Sequence, residues 1–284
     1  MNKSAGVLVI LGLLLLPVGD QPARAEQGAT TLAIGASVIG VIGTSAILYG
    51  LWRNRPSQQG KQEPGLFPGE FYVGGYLGAS LVPSTDLQFN NGIFPGGGTV
   101  NTSKQRFEPA VVGGLKFGYF LKSIPYLGLE AETNYARNYV REQRVTLSRP
   151  VQGTTQAILP TDDWCTWTLA LHIVGRYGFL PDREVPFGRL QPYVGLGPGL
   201  VMIYDEVDAA KNFAIDAMAG VRYMMLKNVA AFVEYKYSHQ FDVELESHAI
   251  LPVAANGVLG TLQRGTARFD YDSHRIVLGV AYHF

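Results

Sequence analysis

The chain has 284 residues, with 23 basic against 23 acidic side chains, 34 Gly, 15 Tyr, 14 Phe and one Cys. High apolar content at zero net charge excludes a disordered chain, and the even balance excludes a basic nucleic-acid footprint. The single Cys165 permits neither an internal disulfide nor a thiolate metal cluster.

Residues 1–25 read as a secretory signal: Lys3 gives the charged start, 7–16 the apolar core, and Ala23-Arg24-Ala25 a small-x-small cleavage site. That apolar core is about half the ~20 residues a spanning helix needs. A second apolar segment, 30–52, is uncharged and closed by Arg53-Asn54-Arg55. Its length suits a bilayer helix, while its many Gly, Ser and Thr residues make insertion marginal. Residues 53–69 are rich in Pro, Gly and Gln and read as a linker.

From Glu70 onward the hydrophobic period is two, which predicts strands at about 70–82, 106–121, 127–145, 163–179, 190–204, 211–225, 229–245 and 266–284. Each is longer than the five or six residues usual in soluble proteins and meets the nine or more that a tilted membrane strand needs. Long connections at 83–105, 146–162 and 246–265, with a shorter one at 205–210, alternate with tighter ones at 122–126, 180–189 and 226–228. Four loops on one rim and three turns on the other close an eight-stranded antiparallel barrel.

The faces decide the solvent. Ile276, Leu278, Val280, Tyr282 and Phe284 share one face of the last strand, and Trp167, Leu169, Leu171 and Ile173 share one face of the fourth. The opposite faces carry Gly, Ala and most of the charge: Lys116, Arg176, Arg222, Lys236 and Arg275 against Glu130, Glu132, Asp216 and Glu234. A narrow membrane barrel turns its bulky apolar face to lipid and its small or charged face to the lumen. The expected fold is therefore all-β: a transmembrane barrel over 70–284, preceded by a signal (1–25) and a segment 26–69 containing the helix-like 30–52.

Tyr193-Val194-Gly195-Leu196-Gly197, Gly220-Val221-Arg222-Tyr223, Val233-Glu234-Tyr235-Lys236-Tyr237 and the terminal Gly279-Val280-Ala281-Tyr282-His283-Phe284 resemble the OmpA-like and opacity-type family of eight-stranded outer-membrane barrels. The resemblance covers roughly 70–284. It implies residence among outer-membrane lipid and insertion by the outer-membrane assembly machinery, which reads a last strand ending in Tyr282 and Phe284. On this reading no peptidoglycan-binding domain of the full OmpA kind is expected, and 30–52 has no place in the family pattern.

Unpaired charge in a narrow lumen is costly, so the near-balanced inward charges predict a paired, hydrogen-bonded network that plugs the bore. A gated path for ions or small solutes is the alternative. A lipid-modifying hydrolase needs nucleophile and base on one face, at spacing i, i+2. Ser238-His239, Ser247-His248 and Ser273-His274 are each adjacent, which argues against that enzyme while leaving cross-strand pairs open. Cys165 reads as packing, the five His show no metal-ligand spacing, and the Gly-rich run 94–98 reads as a loop tip. No cofactor is expected. The expected role is non-enzymatic, structural in the envelope or presenting a ligand surface on loops 83–105, 146–162 and 246–265.

Overall fold

The computed structural model describes residues 69–90, 99–149, 153–204, 208–253, 257 and 263–284. The expected signal, the apolar segment 30–52 and the run 94–98 lie outside these residues.

Twelve strands follow in chain order: β1 (Gly69–Leu81), β2 (Gln88–Asn90), β3 (Val100–Thr102), β4 (Ala110–Leu121), β5 (Leu127–Val140), β6 (Gln143–Arg149), β7 (Gly153–Leu159), β8 (Asp162–Arg176), β9 (Leu190–Tyr204), β10 (Ala209–Met224), β11 (Val229–Val253) and β12 (Gln263–His283). Eight of them, β1-β4-β5-β8-β9-β10-β11-β12, form an antiparallel ring. It closes where β1 meets β12, from Tyr72↔His283 to Leu81↔His274. Closure leaves no unpaired sheet edge in this ring, the condition for placing backbone in hydrocarbon.

The four remaining strands belong to a second ring at the loop end. β12 pairs with β2, β2 with β3, β3 with β6, β6 with β7 and β7 with β11, and β11 returns to β12. The expected long loops are thus largely folded. The expected strand 127–145 divides at Arg141-Glu142, where the chain leaves the barrel wall to enter β6. The expected strand 106–121 begins at Ala110 instead: Pro109 has no N–H to give, and the Glu108 N–H donates to the Tyr139 carbonyl at 2.9 Å.

The two faces of the eight-stranded ring follow the alternation in sequence. Leu77, Val111, Leu171, Ile173, Val194, Leu196, Ile276 and Leu278 point outward and are exposed. Moving a side chain of that size from water to an apolar phase gains roughly 1.5–3 kcal/mol, so this band is stable against lipid and costly against water. Tyr126, Tyr177, Phe179 and Tyr223 stand exposed at its turn end, where an interfacial aromatic girdle sits.

The inner face departs from expectation. Its turn-end half carries the charged set, but its loop-end half is an apolar core around Trp164, with Leu87, Val201, Ile203, Val243, Leu245 and Phe269. Small and charged residues therefore line only part of the bore. Beyond the lipid band the two rings need a hydrophobic core of their own, as any water-exposed domain does.

Candidate functional site

The most elaborated cluster of side chains lies inside the eight-stranded ring. Tyr72 and Tyr76 of β1 face Gly118 and Gly114 of β4 in register. A Cβ at Gly118 would stand 2.0 Å from the Tyr72 ring, and one at Gly114 would stand 2.4 Å from the Tyr76 hydroxyl. Glycine there lets both rings lie across the bore. The Tyr72 hydroxyl donates to Glu130 and the Tyr76 hydroxyl to Glu132.

The ammonium groups complete the arrangement. Lys116 pairs with Glu234 and stands 3.4 Å from Glu130. Lys236 pairs with Glu132 and, at 3.0 Å, with Glu234. Tyr193 donates to Glu234 as well, and the Asn134 amide donates to Glu132 at 3.1 Å. The Lys116 ammonium also lies 4.1 Å from the centre of the Phe232 ring. These side chains are buried, so the pairs act in a low-dielectric setting where each charge depends on its partner.

Toward the turn end, Arg176 donates to Glu70 at 2.9 Å, to the Pro125 carbonyl at 2.9 Å and to Gln191 at 3.1 Å. Glu70 also contacts His283 Nδ1, so one carboxylate of the first strand ties the last strand to β8. Arg222 has a different environment: its guanidinium lies 4.2 Å from the Tyr72 ring centre and 5.2 Å from that of Tyr193, a desolvated cation–π arrangement.

Of the inward charges read from sequence, Lys116, Glu130, Glu132, Glu234 and Lys236 are brought into one network, and Arg176 and Arg222 lie beneath it. Arg275, in register with Lys236, and Asp216, in register with Ser238, are buried and form no ion pair within 4 Å among the described residues. Sequence reasoning missed Tyr72, Tyr76, Tyr193, Glu70, His172 and His283. Their inward positions followed from alternation, but their partners stand on other strands. At the chain end, the Phe284 N–H donates to the Phe71 carbonyl at 2.8 Å, and its ring packs edge-on to Tyr282 at 4.9 Å.

Glu130, Glu132 and His172 bring three donor atoms within 4.8 Å of one another, a grouping the His spacing did not suggest. Lys116 and Lys236 already neutralise these carboxylates, so the positive charge a metal would bring is supplied by the protein. The hydrolase pattern does not assemble from the described pairs. Ser238 and Ser273 are buried inward opposite each other, whereas His239 and His274 lie on the outward face. There His239 Nδ1 contacts Asp272 and His274 Nδ1 contacts the Tyr235 hydroxyl, at 2.7 and 2.6 Å. The side chains of Ser247 and His248 lie outside the described set. Cys165 is free and accepts from the Tyr135 hydroxyl at 3.1 Å.

Comparison with known proteins gives the family. The family model for the outer membrane protein beta-barrel domain matches residues 57–284. No curated protein matches. Among solved structures, OprG from Pseudomonas aeruginosa is 16% identical with a TM-score of 0.46, over 76% of this chain and 96% of that one. Neisserial surface protein A is 13% identical with a TM-score of 0.39, over 75% and 97%. The attachment invasion locus protein Ail of Yersinia pestis, in complex with the heparin analogue sucrose octasulfate, is 14% identical with a TM-score of 0.37, over 76% and 99%. With a closed ring, an apolar outer band and a family match over most of its length, this chain belongs to the outer-membrane β-barrel domain family and is an outer-membrane protein of the Gram-negative envelope.

Proposed function

We propose that this protein is a non-enzymatic envelope component whose bore is closed to solutes and whose external ring and loops are its working surface. The observation that carries this reading is the filling of the bore at two levels. The Lys116–Glu130–Glu132–Glu234–Lys236 network crosses it within the membrane, and the core around Trp164 closes it toward the outside. An eight-stranded interior is only wide enough for its own side chains, and both levels are occupied by them.

Its partners on this reading are outer-membrane lipid along the apolar band, the assembly machinery through Tyr282 and Phe284 of the last strand, and an external ligand on 83–105, 146–162 or 246–265. Rigid scaffolds carry recognition on such projecting segments.

Planar-bilayer recording of the purified barrel is the test. Electrical silence is expected, both for the parent and for Arg222→Ala, because the Lys–Glu level remains closed in each. Large, stable openings of the parent would overturn the closed-bore reading. Deleting the segment between β11 and β12 should alter whole-cell binding or envelope integrity. No change in either would overturn the surface role.

A further inference from the structure

The outward faces of β11 and β12 carry a cluster unlike the rest of the apolar band. Tyr235, Tyr237, His239 and Phe241 stand at alternate positions of β11 and share one face. The register sets His239 opposite Asp272 and Tyr237 opposite His274. The Tyr237 hydroxyl donates to Asp272 Oδ1 at 2.7 Å, and His239 Nδ1 meets the same oxygen at 2.7 Å. Both contacts end on Oδ1, so Asp272 Oδ2 keeps its capacity to accept. The Asp272 side chain is 38% exposed, open to a ligand from outside the wall.

The rings stand as walls around this carboxylate. His239 and Phe241 meet at 87° with centres 4.4 Å apart, and the His274 ring lies 5.2 Å from Tyr237 and 6.0 Å from Tyr235. Tyr235 and Phe241 are exposed. From the turn end, the outward residues of β12 run Tyr282, Val280, Leu278, Ile276, His274 and Asp272. The ten residues from Tyr282 to Asp272, at about 3.3 Å rise and about 40° tilt, climb roughly 25 Å, the height of the apolar band. Asp272 therefore stands where hydrocarbon gives way to headgroups on the loop side.

Charge and geometry select the occupant. Asp242, Glu244 and Asp270 are exposed further along the same strands, against Arg268, which pairs with Asp242, and Lys211 of β10. With Asp272 the surround is acidic, which disfavours a phosphate. A metal ion is not suited either: among the described residues, His and carboxylate ligand atoms converge within 4.8 Å at Glu130, Glu132 and His172, not here. Aromatic faces around a carboxylate with a free oxygen recognise an organic ammonium, through cation–π attraction to the rings and a charge-assisted contact to the oxygen.

We propose that this cluster is a binding site for a lipid headgroup that carries an organic ammonium, of the ethanolamine or choline kind, on the outer wall of the barrel. The ammonium sits against Tyr237, His239 and Phe241 with Asp272 Oδ2 as its counter-ion, and the acyl chains run down the exposed Ile276 and Leu278. The site rests on residence in the outer membrane, and on neither the closed bore nor the loop surface, so this proposal and the functional one fail separately.

Native mass spectrometry of the detergent-folded full chain, offered equimolar phosphatidylethanolamine and phosphatidylglycerol of one acyl composition, tests it. The ethanolamine lipid should be retained about two- to fivefold over the glycerol lipid, the range that an exposed cation–π contact supplies. Asp272→Asn keeps an oxygen for Tyr237 and His239 while removing the charge, so it should fold, as heat-modifiable migration reports, and lose the preference. Phe241→Leu, which removes one wall and leaves the carboxylate, should lower it. Asp163→Asn, on β8 across the ring, should keep it. Equal retention of the two lipids by the parent, a preference that survives Asp272→Asn, or an equal loss in Asp163→Asn would overturn the site. Titration with choline chloride, read on the His239 and His274 ring signals by nuclear magnetic resonance, separates the sources of the ammonium. A response marks a site for the free group as well, and lipid retention without one assigns recognition to the intact lipid. A larger response to inorganic phosphate than to choline would refute the proposal.

Discussion

Replacing Lys116 by Met isolates the electrostatic role of the lumen network from its packing. Met fills nearly the same volume and keeps the contact with the Phe232 ring, so little cavity is created. What is lost is one of two ammonium groups that serve Glu130, Glu132 and Glu234. Glu234 retains Lys236 at 3.0 Å and the Tyr193 hydroxyl. Glu130 retains the Tyr72 hydroxyl, with the His172 ring nitrogen 4.0 Å away, and is left as the under-compensated buried carboxylate. Breaking a buried pair from one side costs about 3–5 kcal/mol, most of it the stranded charge. Urea unfolding in lipid vesicles, followed by Trp fluorescence, should show that loss as a lower midpoint at an unchanged slope. Lys116→Met/Glu130→Gln removes the stranded charge and should recover most of the loss. A single variant within about 1 kcal/mol of the parent, or a double variant no more stable than the single, would refute the stranded-charge argument.

Four further outcomes are expected. Leu171→Arg, on the exposed outward face near mid-strand, should cost about 2–4 kcal/mol in vesicle unfolding, well beyond Leu171→Ala; equal effects would show that this position does not meet hydrocarbon. Trp164→Ala, at the centre of the outer core, should cost about 3–5 kcal/mol and make the β6–β7 hairpin protease-sensitive. Deleting Phe284, whose N–H is bonded to the Phe71 carbonyl, should lower the heat-modifiable folded fraction in cells; an unchanged fraction would remove the terminal residue from assembly. In the turn after β8, the Val185 N–H, the Arg189 guanidinium and the Glu184 N–H hold the Asp182 carboxyl below its ordinary value. A lowered acid contributes stability above its unfolded value, about 3.9, and loses it as pH falls through the folded value. Amide protection of this turn, measured against the intrinsic exchange rate at each pH, should therefore fall under acid, and Asp182→Asn should abolish that loss.

The ring of eight was legible because its strands keep strict alternation over long stretches, as in Ile276, Leu278, Val280 and Tyr282. The outer ring was not. β2 and β3 have three residues each, too few to show a period. β11 hid its length for another reason. One extra residue between Gln240 and Val243 shifts the register, with Asp242 at φ 58. Even-numbered residues face inward before that bulge, as at Ser238 and Gln240, odd-numbered ones after it, as at Val243 and Leu245, and even-numbered ones again, as at Ile250, after a second shift between Leu245 and His248. A strand that changes phase reads as a strand that ends. Within the candidate site, alternation identified the inward charges but not their pairing. Tyr72 and Glu130 are 58 residues apart, and Lys116 and Glu234 are 118 apart. Strand order in a closed sheet sets such meetings, and no local pattern carries them.

β11 and β12 are the two strands that belong to both rings. A pull on the loop-end ring enters the eight-stranded ring along this hairpin as well as through chain links such as Arg141-Glu142. β12 is also the strand that closes the barrel against β1 over ten paired positions, and Glu70 clamps its far end through His283. Tension applied outside is thus loaded along the closing seam in shear, spread over many hydrogen bonds at once. The register shifts around Asp242 and between Leu245 and His248 are places along that path where the hairpin has slack to bend, with the seam beyond them held straight.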